Sequence, residues 1–304
     1  MNVDLKKIST ESRNANTLDI DIVPTIDILR KINNEDKLVA YAVEEALPQI
    51  AKVVEKVYEA FLNNGRLIYM GAGTSGRIGI LDAVECPPTY GVDYNMVQCL
   101  MAGGEKAFIK AVEGAEDSKT LAVEDFKKIN LTSKDVVIGI AASGRTPYVL
   151  GGIEYAKQVG STTCCITTSK DSILEHSVDL PIVAVTGPEP ITGSTRMKSG
   201  TAQKMICNMI STASMVKMGK VYENLMIDVK ATNEKLVSRS LNIICTILEC
   251  DTTTAKQLLN KYQTVKKVIF AELTGEENNE VIDKFLDSEC GNIRKAINKY
   301  KEIK

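Results

Sequence analysis

Histidine is almost absent. His176 is the only one in 304 residues, and tryptophan is missing altogether. A single histidine argues against a His-based metal site, so no metal is expected. A Ser-His-Asp hydrolase would depend on His176, which adjoins no G-x-S-x-G turn. None of the eight cysteines stands in a C-x-x-C pair. Most lie in apolar runs such as STTCCITT and LNIICTILEC, as small buried hydrophobes do in a reducing cytoplasm. An excess of one charge is also lacking. Lys plus Arg is 37, Asp plus Glu is 39 and the net charge is −2, so there is no basic footprint for nucleic acid. No uninterrupted apolar run of about 18 residues exists, so no membrane span is expected. The first 23 residues are polar, without the apolar core of a signal peptide. There is no G-x-x-x-x-G-K-[ST] loop, and G-A-G-T-S-G lacks the surroundings of a dinucleotide fingerprint. No cofactor is expected.

Hydrophobic residues make up 44% and charged residues 25%, the balance of an ordinary globular chain. After the polar arm, a helix is expected near Thr25. A long helical stretch follows from Glu35 to Asn64, kinked or divided at Pro48 and stopped at Asn63-Asn64-Gly65. The period then changes. Short apolar runs at 66–73, 96–104, 135–144, 161–168 and 180–185 read as buried strands. Helices are expected between them at 76–86, 105–114 and 147–159, and after them at about 195–219. This alternation predicts an α/β fold with a doubly wound parallel five-stranded sheet. Beyond Lys220 the strand signals stop. Helices are expected at about 230–250, 252–261, 264–273, 276–287 and 290–302. The organisation read from this is an N-terminal arm and helices (1–54), a sheet domain (55–220) and a small C-terminal helical domain (221–304).

Two strand-to-helix turns repeat Ser-Gly-Arg: Gly71-Ala72-Gly73-Thr74-Ser75-Gly76-Arg77 and Ala141-Ala142-Ser143-Gly144-Arg145-Thr146-Pro147. Glycine lets the backbone approach a ligand, and the first amides of the following helix point at it with the positive end of the helix dipole. In parallel sheets ligands collect beyond the carboxyl ends of strands, where these turns lie. The plainer reading is that small residues only serve the turn and cap the helix. Two matching loops in one sheet favour an anion site. A third loop, Thr192 to Thr201, gathers hydroxyls and cations at a helix start, where it caps the helix or closes over a ligand.

Together, GAGTSGRIGILDAVECPPTYG, VEGAEDS, AASGRTPYV, TGSTRMKSGTAQK and NLMIDVKATNEKL resemble the N-acetylmuramic acid 6-phosphate etherase family. The likeness runs from Thr10 to about Leu236. It implies a sugar isomerase (SIS) domain followed by a small helical domain, and a cytoplasmic homodimer that recycles cell-wall sugar. The implied reaction cleaves the lactyl ether of N-acetylmuramate 6-phosphate to N-acetylglucosamine 6-phosphate and D-lactate. By position, the family's two catalytic carboxylates fall on Glu85 and Glu116. Carried over by motif, Gly73, Thr74, Ser75, Gly76, Ser143, Gly144 and Thr146 are expected phosphate or sugar contacts. Arg77 and Arg145 are candidates for bidentate phosphate pairing, or else for salt bridges in the helix or a dimer interface. Ser194, Thr195 and Lys198 are further candidates, with Arg196 beside them.

The chemistry suits carboxylates. In the open-chain sugar the C1 aldehyde acidifies the C2 proton, and the ether sits at C3. A base removes that proton, an acid protonates the departing lactate oxygen, and water then adds at C3. Each proton transfer is typically worth about 10²–10⁴-fold. On sequence alone each glutamate reads as a solvated surface acid. The resemblance assigns the pair, with Glu85 taken as the acid and Glu116 as the base. Pro87 and Pro88 are expected to end the helix and leave Glu85 at its last turn. Competing readings are an aldose–ketose isomerase and a non-catalytic sugar-phosphate sensor. The expected partners are thus a small-molecule sugar phosphate and a second copy of the chain, without nucleic acid or membrane.

Overall fold

The computed structural model describes residues 11–110, 112–228 and 234–303. The first ten residues of the arm, Ala111 and the start of the helix expected at 230 lie outside them, as does the VKATN part of one quoted motif. The chain divides into two compact units: 1–85 with 94–211, and 86–93 with 212–304.

The first unit begins with α1 (Thr25–Glu45) and α2 (Leu47–Leu62). Pro48 divides them, standing in the first turn of α2 where its missing N–H costs nothing. Ile50, Val53, Val54, Val57, Ala60 and Phe61 make the buried face of α2 at three- and four-residue steps. That face packs on the sheet, so the helices expected to stand apart within 1–54 belong to the sheet unit.

The chain then alternates: β1 (Leu67–Gly71), α3 (Gly73–Tyr90), β2 (Val97–Met101), α4 (Lys106–Ile109), α5 (Leu121–Lys128), β3 (Val136–Ile140), α6 (Pro147–Val159), β4 (Thr162–Thr167), α7 (Ile173–His176), β5 (Leu180–Val183) and α8 (Lys198–Lys217). The five strands are parallel in the order β2-β1-β3-β4-β5. Every residue of β1 and β3 is buried, as central strands covered on both faces require. Ile68, Met70 and Val137 pack with Phe126, Tyr148 and Ile153 in one core layer. Asp135, almost fully buried, pins the start of β3 to β1. It accepts from the backbone N–H and the guanidinium of Arg66, and from Thr132.

Four helices differ from expectation: α3, α4 and α5, and the short α7, which was not anticipated. The segment expected as a helix over 105–114 gives only α4, because Lys110 turns extended and only Ala107 faces inward. A helix not anticipated, α5, follows on the i, i+4 pair Ala122 and Phe126. The prolines do not end α3. The helix runs through Pro87 and Pro88 to Tyr90, and Gly91 N–H closes on the Pro87 carbonyl at 2.9 Å. The missing proline amides would have paired with the carbonyls of Ala83 and Val84. Val84 is exposed and Ala83 buried.

The second unit adds a short hairpin, β6 (Val221–Tyr222) with β7 (Leu225–Met226), where no strand was expected. Two-residue strands carry no readable period. Five helices follow: α9 (Glu234–Leu248), α10 (Thr252–Tyr262), α11 (Val265–Thr274), α12 (Asn279–Ser288) and α13 (Ile293–Ile303). Asp251, Thr264 and Asn278 cap three of them by accepting first-turn amides. Their core centres on Phe270, Phe285 and Tyr300, whose rings meet edge-on at 5.1–5.6 Å around Tyr300. No helix among the described residues is long and apolar enough to cross a membrane.

Candidate functional site

The strand order reverses direction between β1 and β3. Such a switch opens a crevice beyond the strands' carboxyl ends. Gly71 pairs in register with Ile140, so both Ser-Gly-Arg loops leave the sheet side by side there. The first runs straight into α3. Gly76 is required by packing, since a Cβ there would lie 2.9 Å from the Gly71 carbonyl oxygen and 2.8 Å from Met101. Gly73, Thr74 and Ser75 form the first turn, whose amides have no partner within the helix. Ser75 Oγ donates to Gln203 Oε1 in α8 at 2.9 Å. In the second loop Gly144 has φ +63°, and a Cβ would fall 2.3 Å from Ser172 Oγ. Ser143, Arg145 and Thr146 are half-buried beside it. Thr146 precedes α6 without spending its hydroxyl on a cap.

Glu116 belongs to the same crevice. Its carbonyl accepts the Tyr148 amide in the first turn of α6 at 2.9 Å. This fixes the backbone of Glu116 beside the second loop while its side chain stays exposed. A cavity of about 290 Å³ is lined by Glu116, Ala72, Gly73, Arg77, Met101 and Glu113, among others. That volume is close to the lower end for small-molecule sites, about 300 Å³. A larger hollow of about 360 Å³ lies along α9 in the second unit, with Lys235, Arg239 and Asn242 in its wall. None of the residues that line it is a carboxylate.

Glu85 is not in that cavity. It lies twelve residues after Gly73 in α3, which at 1.5 Å per residue is about 18 Å along the helix. Its side chain is exposed, as are those of Leu81 and Val84. Among the described residues neither Glu85 nor Glu116 pairs its carboxylate with another group.

Two of the expected phosphate contacts have partners within the protein. Arg77 donates from Nε to the Phe108 carbonyl and from Nη2 to the Ala107 carbonyl, each at 2.8 Å. It lines the cavity but spends its fork on the end of α4, a common use of cations near helix carbonyls. Lys198 is fully buried. Its Nζ meets Glu35 Oε2 at 2.7 Å and the Pro188 carbonyl at 3.0 Å. Burial pushes the Glu35 carboxyl up, but hydrogen bonds from Lys198 and Asn16 outweigh it and hold the group below the usual carboxylate range. The third loop caps α8: Glu189, buried, accepts the Lys198 and Ser199 amides at 2.8 and 2.9 Å, filling the anion position at the start of the helix. Ser194 and Thr195 lie half-buried in the turns before it. A Cβ built at Gly200 would stand 3.5 Å from Thr74 and 3.6 Å from the Thr195 carbonyl, so this loop adjoins the first. Glu113 and Gln203 were not anticipated. Glu113 stands three residues before Glu116 and shares its cavity, and Gln203 lies within the quoted TGSTRMKSGTAQK segment but was not singled out there.

A doubly wound sheet with small-residue loops at its switch point defines a phosphosugar-binding SIS domain. Residues 120–213 match the SIS domain family, and residues 49–157 match the N-terminal SIS domain of glucokinase regulatory protein. A Bacteroides fragilis protein, assigned as a phosphosugar isomerase of capsule formation, shares the fold with a TM-score of 0.50 at 20% identity, over 66% of this chain and 95% of its own. Within that class the relatives are more particular. The N-acetylmuramic acid 6-phosphate etherase of Vibrio atlanticus is 52% identical over 294 residues, 96% of each chain. That of Clostridium botulinum strain Langeland is 60% identical over 243 residues, 80% of each. The chain belongs to the N-acetylmuramic acid 6-phosphate etherase family.

Proposed function

We propose that this chain is a carbon–oxygen lyase. It cleaves the D-lactyl ether of N-acetylmuramate 6-phosphate and releases N-acetylglucosamine 6-phosphate and D-lactate. The phosphate rests on the amides and hydroxyls of Thr74, Ser75, Ser143 and Thr146, with Gly73, Gly76 and Gly144 allowing close approach and Arg145 at the rim. The observation that carries this reading is the Tyr148–Glu116 backbone bond, which holds a free carboxylate against a cavity at the switch point. From there Glu116 takes the C2 proton of the open-chain sugar. The electron pair forms the C2–C3 double bond as the C3–O bond breaks, and Glu85 protonates the lactate oxygen. Water then adds to C3, giving up one proton to the Glu85 carboxylate, while Glu116 returns its proton to C2, so both glutamates regain their starting states.

Glu85 is about 18 Å along α3 from Gly73, so it serves a second copy. The exposed apolar residues Leu81 and Val84 flank it, and Ile22, Ile26 and Leu29 add an exposed stripe at the N-terminal end. We propose a homodimer that covers these surfaces and sets each Glu85 against its partner's cavity. A phosphorylated sugar substrate favours the cytoplasm as its place of work.

The test is solvent exchange at C2. In D₂O the wild-type protein should label C2, Glu116→Gln should abolish labelling, and Glu113→Gln should retain it. Labelling that survives Glu116→Gln removes Glu116 from the base role. In ¹⁸O water the label should enter the sugar at C3 and not the lactate. Free lactate also separates this reaction from an isomerase and from a silent sugar-phosphate sensor.

A further inference from the structure

Gln203 stands in the second turn of α8, 1% exposed, beside the first turn of α3. Its Oε1 accepts the Ser75 hydroxyl, yet its Nε2 is buried with no hydrogen-bond partner. A buried amide nitrogen left unpaired is rare in proteins and calls for a cause. The contact has a second form. A half-turn of the carboxamide exchanges its two ends, so that Nε2 donates to Ser75 Oγ and Oε1 takes the unpartnered place, where a bare carbonyl is less costly than a bare N–H.

The two forms give Ser75 opposite characters. A serine hydroxyl has one proton. In the first form that proton is committed to Gln203, and Ser75 offers only lone pairs to the crevice, which oppose an anion. In the second form Gln203 supplies the donor, and the serine proton is free to reach a phosphoryl oxygen. A carboxamide allows both. A carboxylate accepts without donating, and an apolar side chain does neither.

We infer that Gln203 is a positioning residue of the phosphate cradle: its carboxamide turns over when a phosphoryl group enters and releases the Ser75 proton to the ligand. This rests on the reading of the two Ser-Gly-Arg loops as the phosphate site. No covalent bond changes. One hydrogen bond reverses direction and one new bond forms to the ligand.

Calorimetric titration with N-acetylglucosamine 6-phosphate tests it. Gln203→Glu, which holds the serine proton, should raise Kd roughly 10- to 100-fold, the range for a lost hydrogen bond to a charged group. Gln203→Met, which leaves that proton free, should raise it less than about three-fold. In turnover, Gln203→Glu should raise KM in step with Kd and leave kcat within about two-fold, because the contact is equal in ground and transition states. Its defect should shrink as the pH falls, since a protonated carboxyl again offers both a donor and an acceptor. In a Ser75→Ala background Gln203→Glu should change Kd by less than about two-fold. Equal defects in the glutamate and methionine variants overturn the inference, as does a glutamate defect that persists without Ser75, which would mark simple charge repulsion. If the variants do not fold, the wild-type protein labelled with ¹⁵N-glutamine decides. One side-chain amide must shift on titration, and an unchanged set of glutamine amides overturns the proposal. Failure of the wild type to bind the sugar phosphate at all would instead sink the site reading beneath it.

Discussion

At the scale of single residues, the molecule separates cations that could meet a phosphate from cations already spent. Lys198 looks like a ligand contact in sequence, standing in a loop of hydroxyls at a helix start. What decides its role is Glu35, 163 positions away in the chain. No local pattern announces that pairing, which is why it was not legible. Glu189 is hidden for the same reason, because only the fold brings it under the amides of α8. The Ser-Gly-Arg loops were legible, since their chemistry is made by adjacent residues and the turn they form. Lys198→Met should therefore leave Glu35 as a buried unpaired charge and cost about 3–5 kcal/mol of stability. KM for the sugar phosphate should stay within about three-fold of wild type in the protein that remains folded. Calorimetric melting and initial rates check the two halves separately. A large rise in KM at unchanged stability would return Lys198 to the binding site.

At the scale of elements, the five strands were readable because parallel strands buried on both faces are unbroken apolar runs. The helices were less so. α3 carries two consecutive prolines near its end and still continues to Tyr90. The strand starts depend on a buried pair that the alternation of elements does not reveal. Burial pushes the Asp135 carboxyl up, but hydrogen bonds from Arg66 and Thr132 prevail and hold it below the usual aspartate range. The sign follows. An acid with a lowered folded pKa leaves the unfolded chain to bind the proton first, so stability falls with pH. The contribution is fully present above about pH 5 and fades as the pH drops through about 4 and below. Asp135→Asn should cost about 3 kcal/mol at neutral pH by breaking the pair. Its urea midpoint should then fall less steeply than that of the wild type between about pH 5 and 3. Parallel slopes in the two proteins would show that the acid sensitivity lies elsewhere, with Glu35 the next group to test by the same logic.

At the scale of the whole molecule, the proposed mechanism must bring together two glutamates that the chain keeps apart. Helix geometry removes Glu85 from the cavity that holds Glu116, and no rotamer of a glutamate spans about 18 Å along a helix axis. Two copies related by a two-fold axis resolve this, because each contributes the same surface to the other. Every site then takes Glu116 from one subunit and Glu85 from its partner. The arrangement predicts complementation between two dead proteins. Glu85→Ala and Glu116→Gln should each be inactive alone. After the two are unfolded together and refolded in equal amounts, about half of the dimers contain one of each. In such a dimer one site has both native glutamates and the other has neither. Lactate release should therefore return to about a quarter of the wild-type rate. If each site draws both glutamates from its own chain, mixing restores nothing, because every site then carries one substitution. A silent mixture whose mixed dimers are confirmed by native mass spectrometry would place the whole reaction within one subunit and require a different acid.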